Sequence, residues 1–101
     1  MFFYLLGIDS KYMFNIYMSL EDKFKEYANA VKKIKKKPSD ENLLKLYSFY
    51  KQATEGDINT TCPSVFNYVN YTKWNAWNGH KGTSKNDAMI EYIKIALEVL
   101  N

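Results

Sequence analysis

Apolar side chains recur at Leu20, Phe24, Tyr27, Val31 and Ile34, in steps of 4, 3, 4 and 3. At about 100° per residue that spacing puts all five on one face of an amphipathic helix. Ser19 with Asp22 three residues on gives a capping box at its start. Pro38 disfavours helical geometry at Lys37, which predicts an end near Lys36. A second helix opens after Ser39, whose hydroxyl can cap it, with Asp40 and Glu41 in the first turn where the helix dipole favours anions. Leu43, Leu46, Tyr50 and Ala53 form one stripe along it, and Leu44, Tyr47 and Lys51 form a second stripe alongside. This helix therefore has a core edge and, next to it, an edge that grades from apolar to cationic. Gly56 stops it.

Gly56–Pro63 (GDINTTCP) is rich in turn formers and reads as a loop. A third helix is predicted over Val65–Asn78, with the apolar set Val65, Phe66, Tyr68, Val69, Trp74 and Trp77. Its β-branched and aromatic content makes the pattern less regular. The fourth begins after Gly82-Thr83 with Ser84 and Asp87 as a capping box. Its stripe, Ala88/Met89, Tyr92/Ile93, Ala96 and Leu100, runs to the end of the chain. The pattern is all-α, a small four-helix bundle, with no internal repeat and no Gly-rich phosphate loop.

Composition narrows the class. At 101 residues the chain has material for one domain, and 47% hydrophobic with 25% charged residues is a globular balance. Four Gly and two Pro are too few for the many tight turns of a β-sandwich or barrel. One cysteine, Cys62, makes no internal disulfide, and Cys62 with His80 is too small a set for a structural zinc site. The same pair lacks a third orienting group for nucleophilic catalysis. The lone thiol fits a reducing compartment, and a cytoplasmic location is expected.

Fourteen basic residues against eleven acidic give a net charge of +3, and every fixed cation is Lys. Lysine makes point-charge contacts, without the bidentate fork of Arg that reads guanine edges. The run Lys32–Lys33–Ile34–Lys35–Lys36–Lys37 reads either as a solvated helix end or as a nucleic-acid patch. Trp74 and Trp77 read as core, His80 as solvated, and Asp22, Glu26 and Glu91 as surface charge. Nine tyrosines in so small a bundle must often sit at its rim, ring inward and hydroxyl toward water.

Residues 1–17 form an N-terminal extension ahead of a patterned domain at 18–101. The apolar run Met1–Ile8 is less than half the length a bilayer-spanning helix needs, and it lacks the basic flank and cleavage site of a signal peptide. The extension reads as an upstream translated stretch before a start at Met18, as a packing or membrane-touching segment, or as a helical continuation of the domain.

Three segments carry a more specific signal: KPSDENLLKLYSFYKQATEGDINT (Lys37–Thr60), KWNAWN (Lys73–Asn78) and KGTSKNDAM followed by YI (Lys81–Ile93). Together, at this separation, they closely resemble the acyl-CoA-binding protein family across roughly residues 19–101. The resemblance implies an up-down-down-up four-helix bundle that binds, carries and buffers long-chain acyl-CoA, without catalysis, cofactor or metal. It also implies a monomer that makes at most transient contact with a membrane or an acyl-CoA-using enzyme, and that does not bind nucleic acid. An acyl-CoA-sensing module of a lipid-metabolic assembly and a Lys-rich nucleic-acid-binding domain stand as alternatives.

Carried over position by position, Tyr47 and Lys51 match residues that hold the CoA nucleotide, with Tyr50 in the same segment. Lys73 matches a lysine that joins Lys51 at the 3′-phosphate, Lys32 a phosphate-contacting lysine, and Tyr92 an aromatic at the nucleotide. Phe24, Ala28 and Leu44 match apolar positions near the acyl groove. The chain departs from the family pattern at Cys62-Pro63-Ser64, where Arg-Pro-Gly is usual, and at Asn70-Tyr71-Thr72, where Gly-Lys-Ala is common before Lys-Trp. Val69 stands where the family frequently has a further lysine, so one phosphate contact is missing or comes from another Lys.

Overall fold

Three serines set where the helices start. The computed structural model describes residues 17–101, which form four helices: α1 (Leu20–Lys32), α2 (Asp40–Glu55), α3 (Tyr68–Asn78) and α4 (Lys85–Leu100). The readings of the 1–17 extension fall on residues 1–16 and so lie outside the described residues, apart from Tyr17. Ser19 Oγ accepts from the Asp22 N–H at 3.0 Å, Ser39 Oγ from Asn42 at 3.1 Å and Ser84 Oγ from Asp87 at 3.0 Å. Each such cap stabilises its helix by about 1 kcal/mol. Gly56 ends α2 with a φ of 82°, and Gly82 turns the chain into α4 with a φ of 91°. Both lie in the left-handed region that side chains with a Cβ rarely enter.

Helix α1 ends sooner than its sequence predicts, at Lys32 and not near Lys36. The Lys33 N–H bonds Ala30 O at 3.1 Å and the Ile34 N–H bonds Val31 O at 3.2 Å. These three-residue closures tighten the last turn. The lysine run then crosses as a connection to Pro38, and Lys33 and Lys35–Lys37 stand exposed beyond the helix.

Helix α4 packs against α1 and α2, and α3 packs against α2. The core consists of Phe24 and Ala28 of α1, Leu46 and Ala53 of α2, and Ala88, Tyr92, Ile95 and Ala96 of α4. The four alanines let the backbones approach, while the two rings fill the space between. Helix α3 contributes little to this core; only its Trp77 is buried.

The predicted third helix begins later than expected. Val65–Asn67 form a turn, closed by the Asn67 N–H on Ser64 O at 2.9 Å and the Phe66 N–H on Ser64 Oγ at 3.2 Å. Val65, Phe66, Tyr68 and Val69, expected as an apolar packing set, are all exposed. A short helix that packs chiefly on α2 has little further surface to bury them on.

Polar contacts join the two long loops. Gln52 is wholly buried, and its Nε2 donates to Asp57 Oδ1 at 2.9 Å and to Thr83 O at 2.8 Å. Asp57 Oδ1 also accepts from the Gly82 N–H at 2.8 Å. That backbone bond foremost, then the Gln52 bond, holds the Asp57 carboxyl below its ordinary value. The loop leaving α2 is thereby fastened to the loop entering α4.

His80 is not solvated as the sequence suggests. Its ring stacks on Phe49 with centroids 3.9 Å apart, and its Nε2 lies 2.8 Å from Ser48 Oγ, a buried hydroxyl that donates to Lys45 O. Burial pushes the His80 pKa below 6.5, so the folded state holds the neutral ring. The unfolded chain binds this proton more readily, so stability is fully present above pH 6.5 and declines as pH falls through the lower folded value. The melting temperature should therefore fall between pH 7.5 and pH 5, and His80→Gln should flatten that fall. Parallel slopes in both proteins would contradict the assignment.

Candidate ligand-binding site

Leu44, Tyr47 and Lys51 occupy the edge of α2 that faces α3. Between the two helices runs a groove of about 740 Å³, lined by Leu43, Leu44 and Tyr47 of α2 and by Tyr68, Val69, Thr72 and Lys73 of α3. Asp40 and Glu41, from the first turn of α2, line it as well. A second cleft of about 330 Å³ adjoins it, because Tyr47 and Lys73 line both. Lys51, Asn70, Trp74, Trp77 and the loop residues Thr60, Thr61 and Pro63 complete the second cleft. At 1.5 Å of rise per residue, Asp40 and Lys51 are about 16 Å apart along α2. The site therefore runs from carboxylates, across apolar walls, to ammonium groups.

Aromatic rings hold both cations at their posts. Lys73 Nζ stands 4.6 Å from the centre of the Tyr47 ring, and Lys51 Nζ 5.3 Å from that of Trp77. Such cation–π contacts contribute about 0.5–1 kcal/mol when exposed. Lys51 also pairs with Glu55. The hydrogen bond to Glu55 is the main reason its pKa is raised; partial burial opposes this, while the Glu55 charge, Tyr47 and Tyr50 reinforce it. Lys51 is thus fully charged at neutral pH, and a phosphate arriving there competes with Glu55 for the ammonium.

The indoles build the far wall. Trp77 Nε1 donates to Gly56 O at 2.9 Å and Trp74 Nε1 to Thr60 O at 3.0 Å. These bonds peg the loop that follows α2 onto α3 and satisfy two of its carbonyls. Trp77 is core as expected; Trp74 is only half-buried and lines the cleft.

The remaining expected site residues lie on other parts of α1, α2 and α4. Tyr50 stacks on Phe24 at 5.5 Å and lies 5.9 Å from Tyr92, whose ring meets Phe24 edge-on at 5.1 Å. Tyr92 is buried, and burial first, then Tyr50, pushes its phenol up to about 12, so it stays protonated. Phe24 and Ala28 are core residues and line neither the groove nor the adjoining cleft. Lys32 stands exposed in the last turn of α1. The structure thus gathers Leu44, Tyr47, Lys51 and Lys73 around the groove, and Phe24, Tyr50 and Tyr92 into a separate ring cluster.

Sequence reasoning did not assign Leu43, Tyr68, Val69 and Thr72 to the groove. Tyr68 and Val69 gave the same apolar signal as core residues, and nothing in the pattern marks Thr72. Among the described residues no group of three or more His, Cys, Asp or Glu could hold a metal ion.

Comparison with known proteins identifies the family and the fold. The family model for acyl-CoA-binding protein matches residues 21–96. An acyl-CoA-binding protein of Gossypium hirsutum is 45% identical over 76 residues, covering 75% of this chain and 85% of its own. One of Brassica napus is 42% identical over 83 residues, covering 82% and 90%. The crystal structure of Oryza sativa acyl-CoA-binding protein 2 superposes with a TM-score of 0.76 at 39% identity, over 81% of this chain and 91% of that one. Neither alternative reading of the sequence finds support here. With its motifs, helix order and matched span in agreement, the chain belongs to the acyl-CoA-binding protein family.

Proposed function

We propose that this protein binds long-chain acyl-CoA esters reversibly in the α2–α3 groove, and so carries and buffers them in the cytoplasm without transforming them. The junction of the apolar groove with the lysine-lined cleft, at Tyr47 and Lys73, carries the reading. An acyl-CoA has the same polarity: an alkyl tail at one end, and at the other a nucleotide with a 3′-phosphate and a diphosphate. In this reading Leu43, Leu44 and Val69 take the tail. Tyr47 lies against the nucleotide, and Lys51 and Lys73 meet the phosphates. Lys32 adds a further phosphate contact, while Phe24, Tyr50 and Tyr92, one ring cluster, and Ala28 support α2 from the core side. Asp40 and Glu41, paired with Lys37 and Lys45, close the opposite end of the groove.

The magnitudes apportion the roles. Each lysine–phosphate contact contributes about 1.5–3 kcal/mol. Each methylene withdrawn from water adds about 0.8 kcal/mol, so ten give about 8 kcal/mol before ordering costs. The tail therefore dominates affinity, and the head discriminates CoA esters from free fatty acids. With Val69 in place of an ammonium, the phosphates depend on Lys51, Lys73 and Lys32.

Isothermal titration calorimetry should show palmitoyl-CoA binding at least about a hundredfold more tightly than CoA. Affinities within tenfold of each other would defeat the mechanism. Lys51→Ala and Lys73→Ala should each weaken palmitoyl-CoA binding about tenfold and reduce its salt dependence, with little change in melting temperature. A variant that unfolds outright would show that its lysine holds the fold and not the ligand.

A further inference from the structure

The cleft beside the groove holds polar side chains that the protein does not use for its own fold. Asn70, Lys73, Trp74 and Trp77 follow one another at helical spacing, which places them along one face of α3. The loop after α2 brings Thr60 and Thr61 to the same cleft. That loop is held in place, because Trp77 Nε1 donates to Gly56 O and Trp74 Nε1 to Thr60 O. Yet the Thr60 and Thr61 hydroxyls and the Asn70 carboxamide make no hydrogen bond among the described residues. Thr54, outside the cleft, instead returns its hydroxyl to Tyr50 O at 2.8 Å.

Charge is scarce where these groups sit. No Asp or Glu lines the cleft, and its two ammoniums are unequally available. Lys51 is bonded to Glu55, whereas Lys73 rests on the Tyr47 ring and pairs with no carboxylate among the described residues. Val69, immediately before Asn70, brings no charge. A phosphate monoester presents three terminal oxygens and close to two negative charges, more acceptor capacity than two ammoniums fill. An amide N–H and hydroxyls beside Lys73 complete such a set of donors. Each phosphorus of a diphosphate bridge has fewer free oxygens and less charge, so the monoester makes the fuller use of the cleft.

We propose that Asn70 is a specificity-determining residue of this site, its carboxamide donating, together with Thr60 and Thr61, to the 3′-phosphate of CoA. These neutral donors stand in for the ammonium that Val69 does not supply. The cleft then separates an acyl-CoA from its dephospho counterpart by hydrogen bonds as well as by charge. The inference rests on the acyl-CoA reading above and names the ligand group that Asn70 reads.

The test is calorimetry with palmitoyl-CoA and with palmitoyl-dephospho-CoA, on the full-length native protein, Asn70→Ala and Asn70→Asp. The native protein should bind palmitoyl-CoA at least about tenfold more tightly than the dephospho ligand. Asn70→Ala should weaken palmitoyl-CoA about fivefold and the dephospho ligand by less than about twofold, with the melting temperature unchanged. Asn70→Asp, which sets a carboxylate against the phosphate, should weaken palmitoyl-CoA further and narrow the preference again. Equal losses for both ligands would move the carboxamide to the adenine or the ribose and overturn the proposal. Palmitoyl-CoA binding unchanged in both variants would overturn it too. A melting temperature lowered in both variants, with the two ligands weakened alike, would assign Asn70 to the fold and also overturn it. A native protein that binds neither ligand would sink the acyl-CoA reading and this inference with it, whereas native binding indifferent to Asn70 would sink the inference alone.

Discussion

Helix α3 packs chiefly on α2, and Trp77 is its one buried side chain. That narrow attachment is what leaves a groove. Had α3 buried a full apolar stripe against α2, the edge formed by Leu44, Tyr47 and Lys51 would have been consumed in packing. The indole N–H bonds to Gly56 and Thr60 let so light a contact hold the long loop and the helix in register. The tight part of the molecule lies elsewhere, where alanines and the Phe24–Tyr92 pair join α1, α2 and α4. Scaffold and site are thus divided between two edges of a single helix.

Electrostatics gives the groove a direction. The carboxylates at the start of α2 are paired with Lys37 and Lys45, whereas Lys51 of α2 and Lys73 of α3 turn their ammoniums to the cleft, so the two ends differ. Placing Lys73 over Tyr47 and Lys51 near Trp77 restricts long side chains before any ligand arrives, which lowers the ordering cost of binding. Glu55 keeps Lys51 charged and occupied in the free protein. A monovalent anion has little advantage over that partner, whereas a phosphate with additional contacts does.

Much of this was legible in the sequence where the signal is local. The Ser19, Ser39 and Ser84 caps follow from residues three apart, and the two stripes of α2 follow from helical spacing. Features set by distant partners were not legible. His80 reads as a loop residue because Ser48 and Phe49, which receive it, lie about thirty positions away. Val65, Phe66, Tyr68 and Val69 read as core because an apolar residue has the same sequence signature whether it meets another helix, a ligand or nothing. Of the site residues, Leu44, Tyr47 and Lys51 emerge from periodicity together, but Lys73 joins them only through family resemblance and then through its place on α3.

The most direct test of the account is to locate the alkyl tail. Intermolecular NOEs between palmitoyl-CoA and the isotope-labelled protein should link the chain methylenes to Leu43, Leu44 and Val69, and the adenine protons to Tyr47. Methylene contacts confined to the Phe24, Lys25 and Met89 side of the bundle, with the α2–α3 groove undisturbed, would contradict it.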